Sequence, residues 1–381
     1  MKILILTSEF PPGPGGIGTH AHQLALNLHR RGHDPHVLTV QSYVAADEAG
    51  KFNEASPFKV EAFSEVPFAP AKAMHRYFRT RARIVGTRPD LVVATGKRAV
   101  WIAAAAVRGF GIPWVAIGHG TEFGVRGWER PIVRRTFGSA SALVCVSAFT
   151  AKQMRECGVV PKRLEIIPNG ADHRAFHPLA AAEMAEYRQA LGFGSGPLLL
   201  TVGNVTERKG QAVVIGAMPR ILERCPDTHY LMAGLPTEQA SLLKLARNLG
   251  VEGRVHFLGR QPFADIVRLM NCVDLFLMTS VTTSTGDCEG FGIAAVEAAL
   301  CGRAAVVSAD SGLSEAVVHN RTGLCVPPGD SEAVAAGVVS LLLDRPRREA
   351  METAARERAL REQTWDNRIV QYEDLFASVT A

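Results

Sequence analysis

The sequence predicts an α/β protein built from two doubly wound parallel sheets, one in each half of the chain, facing a central cleft. Three observations carry that reading. Short apolar runs recur along the 381 residues with helix-length segments between them. The first run is followed by a glycine-rich turn, a helical pattern and a second run, the order of a βαβ unit, which requires parallel strands. Near the middle the texture breaks, and the same alternation then starts again.

Taken in order, MKILILTSEF is a buried-strand run halted at Pro11-Pro12, and the glycines from Gly13 to Gly18 form the turn. His20, Leu24 and Leu28 recur at helical spacing up to Gly32, and His36 to Val40 is the second strand. Further strand runs fall at 91–94, 114–117, 143–146 and 164–167. Residues 168–197 hold PNGADHRAFHPL, an alanine-rich stretch and GFGSGP, which read as a connector. A new first strand at 198–203 opens the second series, continued at 230–234, 255–258, 275–278, 304–308 and 324–326. From Asp330 to Ala381 the pattern is helical throughout, and Trp365, Ile369, Tyr372 and Phe376 have the spacing of a docking face. The expected division is 1–175, 190–360 and a closing helix over 361–381.

Composition narrows the function classes. At 47% hydrophobic and 21% charged, the chain is globular, not disordered or fibrous. Its longest apolar runs, such as Trp101 to Val107, are far shorter than the roughly 20 residues a membrane span needs. The N-terminus has no charged-apolar-cleavage pattern, so a cytoplasmic protein is expected. Seven scattered cysteines without a C-x-x-C pair suggest reduced core thiols, not a disulfide framework or a zinc site. The net charge of +5 is uneven: residues 1–175 carry +10 and the remainder −5. A basic first half suits an anionic partner, but there are no basic patches interleaved with exposed aromatics to indicate nucleic acid.

Four motifs carry chemistry. Gly13, Gly15, Gly16 and Gly18 match G-x-G-x-x-G, yet the second strand ends Thr39-Val40-Gln41-Ser42 with no carboxylate for a ribose, which argues against dinucleotide binding. What survives is a set of bare backbone N–H groups at a helix start, suited to phosphate, or a loop that needs only glycine dihedrals. His119, between Gly118 and Gly120, sits at the carboxyl end of a strand, where ligands lie in such sheets, and no serine or cysteine nucleophile accompanies it. Arg208 and Lys209 follow the first strand of the second half, where cations suit a diphosphate. Finally, Glu289, Gly290, Phe291, Gly292 and Glu297 place one carboxylate before an apolar helix and one within it, so that two different sugars could be gripped. A carboxylate buried on that helix needs a partner, and vicinal hydroxyls are suitable donors.

Together, G-G-x-G-x-H (Gly15, Gly16, Gly18, His20), the strand-end His119, R-K-G (Arg208, Lys209, Gly210), E-x7-E (Glu289, Glu297) and PNGAD (Pro168 to Asp172) resemble the retaining glycosyltransferases of family 4, with the GT-B fold. The resemblance spans nearly the whole chain. It implies that Gly15 and Gly16 lie against the donor diphosphate and that His119 hydrogen-bonds a donor-sugar hydroxyl and helps to stabilise charge. Lys209, with Arg208, would pair with the leaving diphosphate. Glu289 and the amides of Phe291 and Gly292 would hold the sugar hydroxyls, and Glu297 the ribose. His119, Lys209 and Glu289 are thus the expected catalytic residues. The closing helix would cross back to the N-terminal domain. No metal and no separate cofactor are implied, the cations taking the metal's place. The pattern departs from the family at Asn204, where an arginine usually stands five residues before the lysine.

The resemblance also implies an acceptor on the basic half and a nucleotide sugar, GDP-mannose or a UDP-sugar, on the other. Lys72, Arg76, Arg79 and Arg83 form one stripe at helical spacing, in a stretch from 66 to 89 without an acid, while Met74, Tyr77 and Phe78 lie on another. This suits an anionic membrane surface, a phosphorylated acceptor or a solvated face. A glycan or lipid-linked acceptor is expected, as in bacterial enzymes that mannosylate lipids or build surface polysaccharides. Two other functions fit the fold: a sugar-nucleotide epimerase, with Glu122 and Glu289 as acid and base, and a non-catalytic sugar-nucleotide binding protein.

Overall fold

The computed structural model describes residues 1–13, 15–66 and 68–381. It divides into two units: Met1–Asn169 with Trp365–Ala381, and Gly170–Thr364.

The first unit runs β1 (Lys2–Thr7), α1 (Gly16–Arg30), β2 (Asp34–Thr39), α2 (Ala46–Ala55), β3 (Lys59–Ala62), α3 (Ala69–Thr87), β4 (Leu91–Thr95), α4 (Lys97–Ala106), β5 (Trp114–Gly118), α5 (Glu129–Gly138), β6 (Ala142–Cys145), α6 (Ala148–Cys157) and β7 (Leu164–Ile166). The second continues with α7 (Ala181–Ala190), β8 (Leu198–Val202), α8 (Gln211–Arg224), β9 (His229–Ala233), α9 (Gln239–Asn248), β10 (Val255–Gly259), α10 (Phe263–Cys272), β11 (Leu275–Met278), α11 (Ile293–Leu300), β12 (Ala305–Ser308), α12 (Leu313–Ala316), β13 (Gly323–Val326), α13 (Ser331–Leu343) and α14 (Arg345–Glu362). The closing helix α15 (Trp365–Thr380) belongs to the first unit.

Both sheets are parallel. The first has seven strands in the order β3-β2-β1-β4-β5-β6-β7, the second six in the order β10-β9-β8-β11-β12-β13. Central strands covered by helices on both faces bury every residue, as β4 and β5 do, and so they read as unbroken apolar runs. Edge strand β3, Lys-Val-Glu-Ala, has two exposed ends and no apolar run, which is why the sequence does not announce it. The second unit starts at Gly170, so α7 belongs to it instead of lying in a connector. The C-terminal stretch is three helices, broken at Asp344, which caps α14 with its side chain, and at Gln363-Thr364. No described helix is long and apolar enough to cross a membrane. All seven cysteines are free thiols, six of them buried.

The basic stripe of α3 is not a row of unopposed cations. Glu61 of β3 meets Arg83 at 2.7 Å and Arg79 at 3.6 Å, and Glu65 lies 3.9 Å from Lys72. The acids sit just before the acid-free stretch, so a window starting at 66 misses them. Arg76 stands over the Phe63 ring, and Arg81 donates to the carbonyls of Ala106 and Arg108. Phe68, Met74 and Phe78 are exposed.

Candidate functional site

In the first unit the predicted residues gather at the carboxyl ends of β1, β4 and β5. Gly15 precedes α1 with φ +156°, and a Cβ there would lie 2.0 Å from a Glu9 carboxylate oxygen. A Cβ on Gly18 would lie 3.0 Å from the backbone of Phe10. A Cβ on Gly16, by contrast, would meet nothing within 4 Å. Gly15 and Gly18 are glycines because the turn is tight, whereas Gly16 opens the helix start to whatever approaches it. The Tyr43 hydroxyl donates to the Ser8 carbonyl at 2.6 Å and closes the turn from the side.

His119 follows β5 and is buried. Its Nε2 is 2.7 Å from the Thr95 hydroxyl at the end of β4, and its ring meets that of His20 edge-on at 5.0 Å. His20 in turn is 2.9 Å from the Tyr372 hydroxyl of α15. Burial pushes the His119 imidazole down to about 4, so it is neutral at physiological pH. Nothing in the sequence signalled Thr95 as its partner, 24 residues away, and Tyr372 stood out only as part of a docking face, not as the partner of His20.

In the second unit R-K-G lies in a short 3-10 turn after β8, stitched to the segment after β11. Gly210, at φ +69°, would place a Cβ 1.9 Å from the Thr279 carbonyl, and the Thr279 hydroxyl donates to Gly210 O at 2.9 Å. Arg208 and Lys209 both reach Glu289 Oε2, Lys209 at 2.7 Å, and Arg208 also meets Asp287 at 3.2 Å. Burial alone would raise the Glu289 carboxyl, but Lys209 and Arg208 outweigh it and hold it at about 2. Burial lowers the Lys209 ammonium despite the attraction of Glu289. Because both cations converge on one oxygen, Oε1 of Glu289 has no protein partner among the described residues.

Phe291 and Gly292 lead into α11, with Gly292 at φ +85° and no side chain capping the helix. Gly312 pins this loop: its amide donates to Glu289 O at 3.1 Å, and a Cβ on it would lie 1.9 Å from the Gly290 carbonyl. Glu297 is on the first turns of α11 with no protein hydrogen-bond partner among the described residues, and burial pushes its carboxyl up to about 7. Asn204, at the position where an arginine was expected, accepts the Leu235 amide at 3.3 Å and faces the backbone. Arg208 is the residue that joins Lys209.

The structure therefore assembles Arg208, Lys209, Glu289, Phe291, Gly292 and Glu297 in one unit, and Gly15, Gly16 and His119 in the other. Asp287, Thr279 and Gly312 complete the first group without having been marked by motif. The epimerase alternative needed Glu122 and Glu289 as acid and base. Glu289 is held ionised by two cations, and Glu122 is buried beneath the His119 loop, accepting its amide at 2.9 Å. No described group of three or more His, Cys, Asp or Glu could hold a metal ion.

Two parallel α/β units, the first with a glycine-opened helix start and the second with paired cations at its sheet end, have the GT-B architecture. Residues 14–175 match the model described as Glycosyltransferase Family 4, and 183–358 that described as Glycosyl transferases group 1. The chain belongs to glycosyltransferase family 4, whose members act on nucleotide sugars. It is 28% identical to a GDP-mannose-dependent alpha-(1-6)-phosphatidylinositol monomannoside mannosyltransferase of Mycobacterium tuberculosis, over 98% of this chain and 97% of that one. It is 29% identical to a glycogen synthase of the same organism, over 96% and 92%. In fold it matches Anabaena HepE, solved with UDP and glucose, at a TM-score of 0.85 and 23% identity, over 99% of this chain and all of that one. Sucrose-phosphate synthase from Thermosynechococcus elongatus matches at 0.84 and 19% identity.

Proposed function

We propose that the protein transfers a hexose from a nucleotide sugar to an acceptor hydroxyl with retention of anomeric configuration and without a metal. The observation that carries this is the convergence of Arg208 and Lys209 on one oxygen of Glu289 at the mouth of α11. Two cations fixed by protein, not solvent, are what a departing diphosphate requires, because they neutralise its charge without reorganising. The free Glu289 Oε1 accepts from a sugar hydroxyl, the amides of Phe291 and Gly292 receive its neighbour, and the unpartnered Glu297 takes the ribose. Gly16 offers its amide to the phosphates. A neutral His119 serves the donor sugar as a hydrogen-bonding dipole, not as an ion.

Retention follows from a same-face substitution. The bond from the anomeric carbon to the diphosphate oxygen breaks, the acceptor oxygen bonds to the same face, and its proton passes to the departing diphosphate. GDP-mannose is the first donor to test, because the mycobacterial relative is GDP-mannose-dependent, and UDP-glucose is the second. The acceptor is a glycan or lipid-linked hydroxyl, brought by peripheral contact of the exposed Phe68, Met74 and Phe78 beside the α3 cations with an anionic bilayer.

Thermal unfolding with GDP, UDP, ADP and their sugars tests the donor reading. A ligand at 100 times its Kd adds roughly 2.7 kcal/mol. One nucleotide should raise the transition selectively, Glu297→Ala should abolish the shift and Lys209→Ala should weaken it. If none of the nucleotides moves the transition, the proposal fails. Anomeric proton signals of the product report the stereochemistry, and an unchanged rate in EDTA reports metal independence.

A further inference from the structure

Beneath the His119 loop lies a carboxylate that the proposed transfer does not use. Glu122 is 1% exposed. Its Oε2 accepts the His119 amide at 2.9 Å, and its Oε1, equally buried, has no hydrogen-bond partner among the described residues. Phe123, the next residue, is anchored against Phe137 at 5.1 Å and packs where a Cβ of Gly118 would stand, 2.6 Å from its ring, while its amide donates to Gly120 O.

The backbone amides of Glu122 itself, His119 and Gly120 all oppose the effect of burial on this carboxyl, but the hydrogen bond it holds in full geometry is the one from His119. A neutral amide side chain would accept the same N–H with no buried charge to disfavour it. A buried acid with one oxygen engaged and one vacant has two distinct bonding states. Ionised, both oxygens accept and the loop amides are drawn to it. Protonated, it carries a donor on the oxygen that has no acceptor, and its hold on the amides weakens.

We propose that Glu122 is a positioning residue for His119: through the loop backbone its ionised form fixes where the imidazole stands against Thr95, and its protonation loosens that placement. His119 rests on the transfer reading for its role at the sugar, but the coupling of the two residues does not.

The groups facing Glu122 are Glu9 from the loop after β1, His119 on its own loop with His20 of α1 against it, and Cys145 at the end of β6. Burial, helped by Glu9, raises the Glu122 carboxyl to about 7, whereas burial keeps His119 at about 4 and holds His20 well below its ordinary value. Burial lifts the Cys145 thiol to about 12. Of Glu122, His119, His20 and Cys145, only Glu122 is placed near neutral pH.

The test is imidazole 15N NMR of the histidine-labelled full-length protein, with no substrate present and the His119 signals identified by their loss in His119→Gln. In the wild type those signals should keep the pattern of a neutral ring yet shift with a midpoint near 7. Glu122→Gln should make them flat, and Glu122→Asp, which keeps the carboxyl, should retain a titration. Unmoved His33 and His36 signals, from the first unit but away from the His119 loop, show that the variants are folded. A flat wild-type response, or a midpoint surviving in Glu122→Gln, overturns the proposal. Turnover of GDP-mannose gives the second readout: Glu122→Gln should remove the acid-side fall of kcat with KM unchanged, and Glu122→Ala should lower kcat by roughly 10–100-fold. A change confined to KM overturns it. Failure of GDP-mannose turnover in the wild type sinks the donor assignment and leaves the NMR result standing.

Discussion

Glu297 shows at the scale of one residue what the proposed ribose site costs the fold. Its carboxyl has no hydrogen-bond partner among the described residues, and burial lifts it from the ordinary carboxylate value to about 7. A group raised in this way contributes stability that is fully present below its unfolded pKa and is lost as pH rises through the folded one. The ligand-free wild type should therefore become less stable between mildly acidic and mildly alkaline pH. Glu297→Gln should remove part of that loss, worth roughly 1–3 kcal/mol at the alkaline end, the desolvation of one carboxylate. Glu122 titrates over the same window and is common to both proteins, so the difference isolates Glu297. The neutral His119 works in the opposite sense, its stability being lost as pH falls below the unfolded histidine value. Denaturant unfolding of both proteins at the two pH values decides the matter, and parallel pH dependences would show that the carboxylate is not desolvated.

At the scale of elements, the glycines of the candidate site separate into those the chain needs in order to fold and Gly16, which it does not. Gly292 enters α11 at φ +85°, with a Cβ position 2.2 Å from Leu313 Cδ2, and Gly312 would drive a Cβ to 1.9 Å from a backbone carbonyl. Gly16 has open space and an ordinary φ. Gly312→Ala should cost several kcal/mol, because backbone must move, while Gly16→Ala should unfold like the wild type and lose nucleotide-dependent stabilisation. A marked destabilisation of Gly16→Ala would contradict the open geometry. In sequence the glycines look alike, since composition records that a Cβ is missing but not what would have met it. The parallel sheets were legible for the opposite reason: strands such as β4 and β5 are buried on both faces and their burial is written in consecutive residues. Edge strand β3 escaped notice because Lys59 and Glu61 interrupt any apolar run. The site was legible where ligand chemistry is local, as in R-K-G and E-x7-E. It was not legible where support comes from afar, as Thr279 supports Gly210, Gly312 supports Gly290, and Glu61 pairs with Arg79 and Arg83 of α3.

At the scale of the molecule, the chain completes its first unit last. It leaves that unit after Asn169 and returns at Trp365. The returning helix α15 buries Trp365, Ile369, Tyr372, Leu375 and Phe376, and its Glu373 meets Arg31 at 2.8 Å and His33 at 3.0 Å. It also supplies the Tyr372 hydroxyl to His20, the residue against which His119 rests. Burying five large apolar side chains at about 2 kcal/mol each contributes on the order of 10 kcal/mol, an upper estimate that is comparable to the whole stability of an ordinary domain. The ion pairs of Glu373 add little, because Arg31 is half exposed. A chain ending at Thr364 should therefore lose most of the stability of its first unit, while the second, which contains none of these contacts, stays folded. Hydrogen exchange of the shortened chain locates the damage: β1 and α1 should exchange quickly while α8 and β11 remain protected. Protection of α1 equal to that in the full-length protein would mean that α15 rests on the first unit without holding it together, and His20 would then not depend on Tyr372 for its place beside His119.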